Sequence, residues 1–160
     1  VPSRTGCNML PETVARIADS CPNVTGIKEA SGNISQVAKL ASLVGDRLDI
    51  YSGNDDQIVP VMSLGGSGVI SVLANLLPKN IHDITKRMLN GDYITAKDAQ
   101  LSYEKLIEKL FTEVNPIPVK AALNLMGKEV GPLRMPLSEM EDANKAKLAE
   151  ELKNFGIKLA

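Results

Sequence analysis

The sequence predicts an α/β fold in which three strand-and-helix units are followed by a purely helical region. Three short runs of β-favouring residues each lead into turn-forming residues and then into a helical pattern. Strands that alternate with helices form βαβ units, whose right-handed crossovers make the strands parallel neighbours. From Asp92 onward the pattern is helical only. We therefore expect two domains, residues 1–91 with the strands and residues 92–160 as a three-helix domain.

The first unit is preceded by a helix predicted over residues 8–20, with Pro11 near its first turn. A β-favouring run then ends at Lys28, and turn-forming residues follow it directly. Asn33 and Gln36 resemble a capping box that opens the next helix, which Gly45 ends.

The second and third units repeat this order. Strands are predicted over residues 47–51 and 68–72. A turn over residues 52–55 leads into a short helix over residues 58–64, where Pro60 lies in the first turn and its missing N–H does no harm. The last strand leads into a helix that runs from Pro78 to Asn90 and stops at Gly91.

Proline, glycine and capping residues divide the helical region. Asp92 is expected to cap a helix that continues to Leu110. The run Asn-Pro-Ile-Pro at residues 115–118 breaks it and starts a shorter helix, which ends at Met126. Residues 138–141 form a capping-box pattern for the last helix, which ends at Gly156.

Three parallel strands cannot close into a barrel of eight strands. Both faces of a parallel sheet must be covered by other elements, and the unpaired hydrogen-bonding groups at both edges must be paired or shielded. The sequence therefore looks like part of a barrel, and its open edges need a partner.

The composition is that of an ordinary globular protein. The 160 residues are 44% hydrophobic and 23% charged, which is enough for one real core. The net charge of −1, with both signs interspersed, excludes a basic footprint for nucleic acid or an anionic membrane. No apolar run approaches the roughly 20 residues that span a bilayer. Residues 1–5 carry no signal-peptide pattern and no initiator methionine, so a processed piece or a fragment is expected.

The cysteines and the single histidine give little support for a metal site or a histidine triad. Cys7 and Cys21 lack CxxC spacing, which is typical of reduced thiols in the cytoplasm. A disulfide between them is the alternative. His82 lies in a helical pattern and is expected to be a solvated helix residue.

Lys28 is the residue whose position points to chemistry. It stands at the carboxyl end of a predicted strand, where α/β folds place their active sites. A partly desolvated amine there can act as a nucleophile towards a carbonyl carbon. The alternative is an ordinary surface lysine at a strand end.

Two other polar patterns have simpler explanations than catalysis. Asp55 and Asp56 are adjacent and could do acid–base work, but negative charges at a helix start explain them as well. The glycines at positions 65, 66 and 68 precede a strand, whereas a dinucleotide-binding loop follows one. We therefore interpret them as tight-turn residues.

Four motifs together resemble one enzyme family. They are Val-Pro-Ser-Arg-Thr-Gly at 1–6, Gly-Ile-Lys-Glu-Ala at 26–30, Gly-Gly-Ser-Gly-Val-Ile-Ser-Val at 65–72 and Asn-Pro-Ile-Pro-Val-Lys at 115–120. In this order and at this spacing the sequence resembles the dihydrodipicolinate synthase family, over essentially all of its length. The resemblance implies a partial (β/α)8 TIM barrel, its last three strands with their helices, followed by a carboxy-terminal helical domain.

The family resemblance also implies a reaction and its partners. Family members are class I lyases that condense pyruvate with aspartate semialdehyde on the cytoplasmic route to diaminopimelate and lysine. They work as tetramers or dimers, without metal or organic cofactor. By motif, Lys28 matches the lysine that forms the Schiff base with pyruvate. Arg4 matches the arginine that holds the aldehyde's carboxylate, and Ile70 matches the isoleucine whose backbone contacts pyruvate.

The sequence lacks the two residues that precede Val-Pro in the first motif of the family. The family motif reads Tyr-Asn-Val-Pro, and its tyrosine is the proton relay, whereas this sequence starts at the valine. We therefore expect little or no turnover from the isolated chain, which needs the amino-terminal half of the barrel. Tyr51, Tyr93 and Tyr103 match no catalytic position.

Two alternatives remain open at this point. One is another pyruvate-dependent aldolase of the same superfamily, such as N-acetylneuraminate lyase or a keto-deoxy sugar-acid aldolase. The other is a non-catalytic half-barrel that serves as an assembly module and recruits a partner through its edges.

Overall fold

The structure is a computed structural model that describes residues 1–160. Its three strands form one parallel sheet in the order β1–β2–β3. Strand β1 is Gly26–Glu29, β2 is Asp49–Ser52 and β3 is Gly68–Val69. Sequential parallel neighbours are the arrangement that the repeated strand-and-helix pattern predicted.

Nine helices accompany the sheet. They are α1 (Pro2–Thr5), α2 (Pro11–Ser20), α3 (Ile34–Val44), α4 (Ile58–Ser63), α5 (Pro78–Leu89), α6 (Tyr93–Ser102), α7 (Glu104–Leu110), α8 (Ile117–Leu125) and α9 (Asp142–Asn154). Two 3-10 turns, Asp55–Gln57 and Leu73–Asn75, follow β2 and β3. No helix is both long and apolar enough to cross a membrane.

The chain forms two compact units. The first, the strand unit, consists of residues 1–71 and 82–100, and the second, the helical unit, of residues 72–81 and 101–160. The domain boundary expected near residue 91 stays a prediction.

One face of the sheet in the strand unit packs against helices. Ile50 of β2 is 2% exposed and belongs to a cluster of buried aliphatic side chains. The other members come from α2, α3, α4 and the loop before β2: Val14, Val37, Leu40, Val44, Leu48 and Val61. Each such side chain contributes about 1.5–3 kcal/mol when fully buried. Because side chains alternate along a strand, Asp49 and Tyr51 lie on the opposite face.

Local sequence signals placed several helix ends correctly. The Asn33 side chain accepts a hydrogen bond from the Gln36 backbone N–H at 3.2 Å, as a cap of α3 should. The other half of the expected capping box is absent, because the Gln36 side chain bonds elsewhere and the Asn33 N–H donates to Ser31. His82 is exposed and both cysteines are free thiols, as expected.

Three element predictions need correction. The third strand ends at Val69 and not at residue 72, since the chain enters a 3-10 turn at Leu73. Helix α1 was not predicted. The helix expected over residues 92–110 is two helices separated at Tyr103, whose buried hydroxyl accepts a hydrogen bond from Asn80 at 2.7 Å. The helical region therefore has four helices and not three.

The capping box predicted at residues 138–141 is wrong. Helix α9 starts at Asp142, and no side chain of residues 138–141 caps it. A distant residue, Glu113, lies at the start of this helix: its Oε1 accepts from the Glu141 N–H at 3.1 Å and from the Asn144 side chain at 2.8 Å. A carboxylate suits this position because the N-terminus of a helix carries unpaired N–H groups and partial positive charge.

Apolar side chains from α7, α8 and α9 form the core of the helical unit. Leu106, Leu110, Ala122, Leu148 and Leu152 are fully buried there. Tyr103 and Phe155 add an aromatic contact with ring centroids 5.1 Å apart.

Candidate active site

Lys28 lies on the sheet face opposite the buried aliphatic cluster. It pairs in register with Tyr51 of β2, and Tyr51 pairs with Gly68 of β3. Residues in register on parallel strands share a face, so these three positions form one row across the sheet. Lys28 is the penultimate residue of β1 and therefore stands at the carboxyl end of the sheet, where a barrel enzyme carries its chemistry.

Ile70 comes directly after β3 at the same end of the sheet. Its backbone N–H donates to the Ser52 carbonyl at 2.8 Å, so the ladder between β2 and β3 continues by one bond. Since Ile70 follows Gly68 by two positions, it shares the face of Lys28. Its side chain is 49% exposed, and its N–H is already used.

The loop after β2 runs close to the Lys28 side chain at Gly53. A methyl group on the α-carbon of Gly53 would lie 2.8 Å from Cε of Lys28 and 2.5 Å from Cβ of Ala30. The Gly53 N–H also donates to the Glu29 carbonyl at 2.7 Å. Only a residue without a side chain fits here, because real Cβ contacts are longer than these distances.

Lys28 is exposed, and the partial desolvation expected for it stays a prediction. Tyr51, its partner in register, is half-buried, and Asp49, two residues before Tyr51, is exposed. The helices of the strand unit cover only the opposite face, which carries Ile50. Burial of a strand-end side chain depends on what packs over its own face, and the local sequence does not encode that.

Glu29 is a buried charged residue next to Lys28 that the sequence analysis did not single out. It is 8% exposed and points to the face opposite Lys28. Its two carboxylate oxygens accept from the Ser31 N–H at 2.5 Å and from Nε2 of Gln36 at 3.1 Å. The sequence did contain a signal for this residue. Side chains alternate along a strand, so the charged residue after Lys28 could have been expected to point towards the core. A buried carboxylate needs such donors, since an unpaired one is costly.

Arg4 lies on α1, a short helix without any buried residue. Gly6 ends this helix in a left-handed conformation, with φ of 65°. Thr5 bonds to the Cys7 backbone through its hydroxyl, as donor at 2.9 Å and as acceptor at 3.3 Å. Beyond α1, Asn8 exchanges two hydrogen bonds with Gln36 of α3.

A cleft of about 350 Å³ lies along β1, next to the Arg4-bearing segment (residues 1–10). Val14 and Leu48 of the buried cluster line it, so it opens mainly on the face opposite the Lys28 side chain. Its polar lining includes Lys28, Glu29 and Asn8. Most of the remaining lining is apolar, including Val1, Pro2, Met9, Val14, Ile17, Val24, Ile27 and Leu48. Arg4 itself and Ile70 do not line this cleft. The roles expected for Lys28, Arg4 and Ile70 therefore stay predictions, although their placement is now known.

The remaining sequence motifs have structural roles. The main chain of Asp56 accepts a hydrogen bond from the buried Gln100, which also accepts from the Val59 N–H, both at 2.7 Å. Gly65 has a φ of 91°, as a tight turn before β3 requires. In the helical unit, Nζ of Lys120 donates to the Pro132 carbonyl at 2.6 Å beside a small cavity of about 90 Å³.

Comparison with known proteins identifies the family. Residues 1–155 match the Dihydrodipicolinate synthetase family. The chain belongs to this family. It is 59% identical over 157 residues to the 4-hydroxy-tetrahydrodipicolinate synthase of Lachnoclostridium phytofermentans, covering 98% of this chain and 53% of the relative. The Clostridium perfringens synthase is 57% identical, with 98% and 54% covered.

Solved structures of dihydrodipicolinate synthases confirm the fold. The Thermotoga maritima enzyme superposes with a TM-score of 0.95 at 41% identity, covering 99% of this chain and 55% of that one. The Aquifex aeolicus enzyme gives 0.95 at 34% identity, with 99% and 54% covered. The expected partial (β/α)8 barrel with added helices is thus confirmed. The chain spans about half the length of the dihydrodipicolinate synthases that it matches.

Proposed function

We propose that this chain supplies the lysine-bearing portion of a 4-hydroxy-tetrahydrodipicolinate synthase, a lyase that condenses pyruvate with aspartate semialdehyde. This reaction leads to diaminopimelate and lysine in the cytoplasm. The observation that carries the proposal is the position of Lys28 at the carboxyl end of β1, on the sheet face that it shares with Tyr51 and Ile70. The synthase name of relatives at 59% and 57% identity favours this reaction over that of a sugar-acid aldolase.

Lys28 acts as the nucleophile in this proposal. The neutral amine adds to the ketone carbon of pyruvate, and the carbonyl oxygen leaves as water to give an imine. The imine draws electrons from the adjacent methyl carbon, which loses a proton and becomes an enamine. The enamine carbon then attacks the aldehyde carbon of the second substrate, and hydrolysis of the imine releases the lysine. Gly53 leaves room for the lysine chain at the strand ends.

Arg4 and Ile70 bind the substrates. The planar guanidinium of Arg4 can hold the carboxylate of aspartate semialdehyde with two parallel hydrogen bonds. The N–H of Ile70 is occupied by the Ser52 carbonyl. A backbone contact from Ile70 to pyruvate therefore uses the carbonyl oxygen of Ile70.

The proposal requires the rest of the barrel. Strand β1 pairs with β2 alone, so its other side presents unpaired N–H and C=O groups. The chain also spans only about half of its relatives. We assign the proton relay and the remaining strands to the other half, and we expect the completed enzyme to be a tetramer or dimer. General acid–base catalysis is worth roughly 10²- to 10⁴-fold, so the isolated chain should turn over very slowly.

Borohydride trapping tests the proposal. We suggest co-expressing this chain with the amino-terminal half of the Lachnoclostridium phytofermentans relative, then adding pyruvate and borohydride. Mass spectrometry should find one reduced pyruvate adduct on Lys28, because borohydride converts the imine into a stable amine. The matched variants are Lys28→Arg, which should give no adduct, and Lys120→Arg, which should trap normally. Absence of an adduct on Lys28 in the unaltered, assembled protein would refute the assignment.

A further inference from the structure

We propose that Asn8 and Gln36 are positioning residues that fix the Arg4-bearing segment against the strand that carries Lys28. This inference rests on the proposed function and adds two residues to it. The side chains of Asn8 and Gln36 bond to each other, and Gln36 also bonds to Glu29, which lies on the sheet face opposite Lys28. Their effect is on the spacing between the nucleophile and the group that holds the second substrate.

The Arg4-bearing segment has no apolar anchor of its own. Helix α1 has no buried residue, and the residues from Ser3 to Leu10 are all exposed. Buried apolar contacts therefore do not define where Arg4 stands. To bind a carboxylate at hydrogen-bonding distance, the Arg4 guanidinium must be positioned accurately. Polar contacts must therefore fix the backbone of this segment.

Two hydrogen bonds between the side-chain amides of Asn8 and Gln36 fix the segment. Nδ2 of Asn8 donates to Oε1 of Gln36 at 2.7 Å, and Nε2 of Gln36 donates back to Oδ1 of Asn8 at 3.1 Å. The two residues are 28 positions apart in sequence, so the pair joins two distant parts of the chain.

Gln36 in turn is tied to the residue next to Lys28. Its Nε2 also donates to Oε2 of the buried Glu29 at 3.1 Å, and its backbone N–H donates to the Asn33 cap of α3. With its backbone and its side chain both bonded, Gln36 has little freedom. The chain of contacts Asn8–Gln36–Glu29 therefore links the Arg4-bearing segment to β1, one residue away from Lys28.

Limited trypsin digestion of the 160-residue chain tests directly whether the Asn8–Gln36 pair anchors the segment. Trypsin cleaves after Arg4, and the rate of local cleavage follows how often the segment opens. Asn8→Ala and Gln36→Ala should each speed the loss of residues 1–4 by about tenfold, which corresponds to two ordinary hydrogen bonds. The double variant should be no faster than the faster single variant, since both remove the same pair. Ser35→Ala, an exposed neighbour on α3, should cleave at the original rate.

An unchanged cleavage rate in Asn8→Ala would overturn the proposal. Asn8 is exposed, so this variant should fold normally, whereas Gln36→Ala also removes a donor from the buried Glu29. Thermal unfolding of each variant checks that the fold is retained.

Kinetics of the assembled enzyme test the positioning role. Asn8→Ala should raise KM for aspartate semialdehyde by about five- to tenfold, while kcat and pyruvate trapping on Lys28 stay within twofold. Equal losses in trapping and in aldehyde binding would mean a general structural effect and would overturn the positioning role. If the unaltered assembly fails to trap pyruvate at all, the proposed function is refuted and the positioning role with it. The trypsin experiment still decides whether the pair anchors the segment.

Discussion

The strand unit and the helical unit each contain a lysine within a motif of the family, and the two lysines are held differently. Lys120 of the helical unit gives its ammonium to the Pro132 carbonyl and thereby fixes a loop. Lys28 of the strand unit has its Cε close to Gly53, where an added methyl group would lie 2.8 Å from it. A lysine whose hydrogens are bound to the backbone is a structural group, whereas one restrained only by its carbon chain keeps its nitrogen available. The two lysines therefore differ in what holds the ammonium: that of Lys120 is bound by the backbone, whereas the Lys28 side chain is exposed.

The largest effect on stability is expected in the core of the helical unit. Leu148 is fully buried, so Leu148→Ala should lower the free energy of unfolding by about 2–5 kcal/mol. Urea unfolding measures this change. Because Leu148 and Lys28 belong to different units, the fraction of Lys28 trapped by pyruvate in folded, assembled protein should not change. A loss of trapping at full folding would show that the core of the helical unit also affects the reactivity of Lys28.

A substitution in the loop after β2 should have the largest effect on the chemistry. In Gly53→Ala the new methyl group would overlap Cε of Lys28 and Cβ of Ala30, so the lysine chain must shift. A displacement of about 1 Å at a reacting group can cost about 10²-fold in rate. The rate of borohydride-dependent adduct formation on Lys28 measures it. Ser63→Ala, at an exposed position of α4, is the control, and an unchanged rate in Gly53→Ala would show that the lysine approaches pyruvate from elsewhere.

The smallest predicted effect is a pH-dependent one at the start of α6. The Thr95 hydroxyl and N–H donate to the Asp92 carboxylate and lower the pKa of Asp92 below its ordinary value. Because the folded pKa is depressed, this stabilisation is present above the unfolded pKa of about 3.9 and is lost as the pH falls through the folded value. Asp92→Asn should therefore lower the melting temperature slightly at pH 7, and the difference from the parent should shrink below pH 4.

Thr95→Ser provides the matched variant for Asp92, since it keeps both donors. It should retain the pH dependence of the parent protein. A difference between Asp92→Asn and the parent that is the same at pH 7 and at pH 3 would mean that the carboxylate charge at this cap does not contribute.

Features encoded by neighbouring residues could be predicted from the sequence. The Asn33 cap and the position of Lys28 at a strand end both follow from short local patterns, and the structure contains both. The repeated strand-and-helix order was enough to predict parallel neighbours. Such features depend on backbone preferences over a few residues.

Features that depend on distant partners could not be predicted in this way. Glu113, 28 residues before Glu141 in sequence, accepts the Glu141 N–H at the start of α9, whereas a strong local capping pattern at residues 138–141 gave the wrong start. The bonds from Gln36 to Asn8 and Glu29 replace the expected return contact to Asn33. In both cases a side chain far along the chain competes successfully with the local acceptor. The exposure of Lys28 belongs to the same class, because it depends on what packs above the sheet.

The unpaired side of β1 has a consequence for how this polypeptide behaves while it is being made. Its hydrogen-bonding groups can be satisfied by the correct neighbouring strand or by the same strand of another copy, and each outcome excludes the other. An unprotected β1 edge therefore makes aggregation more frequent as the concentration of copies rises.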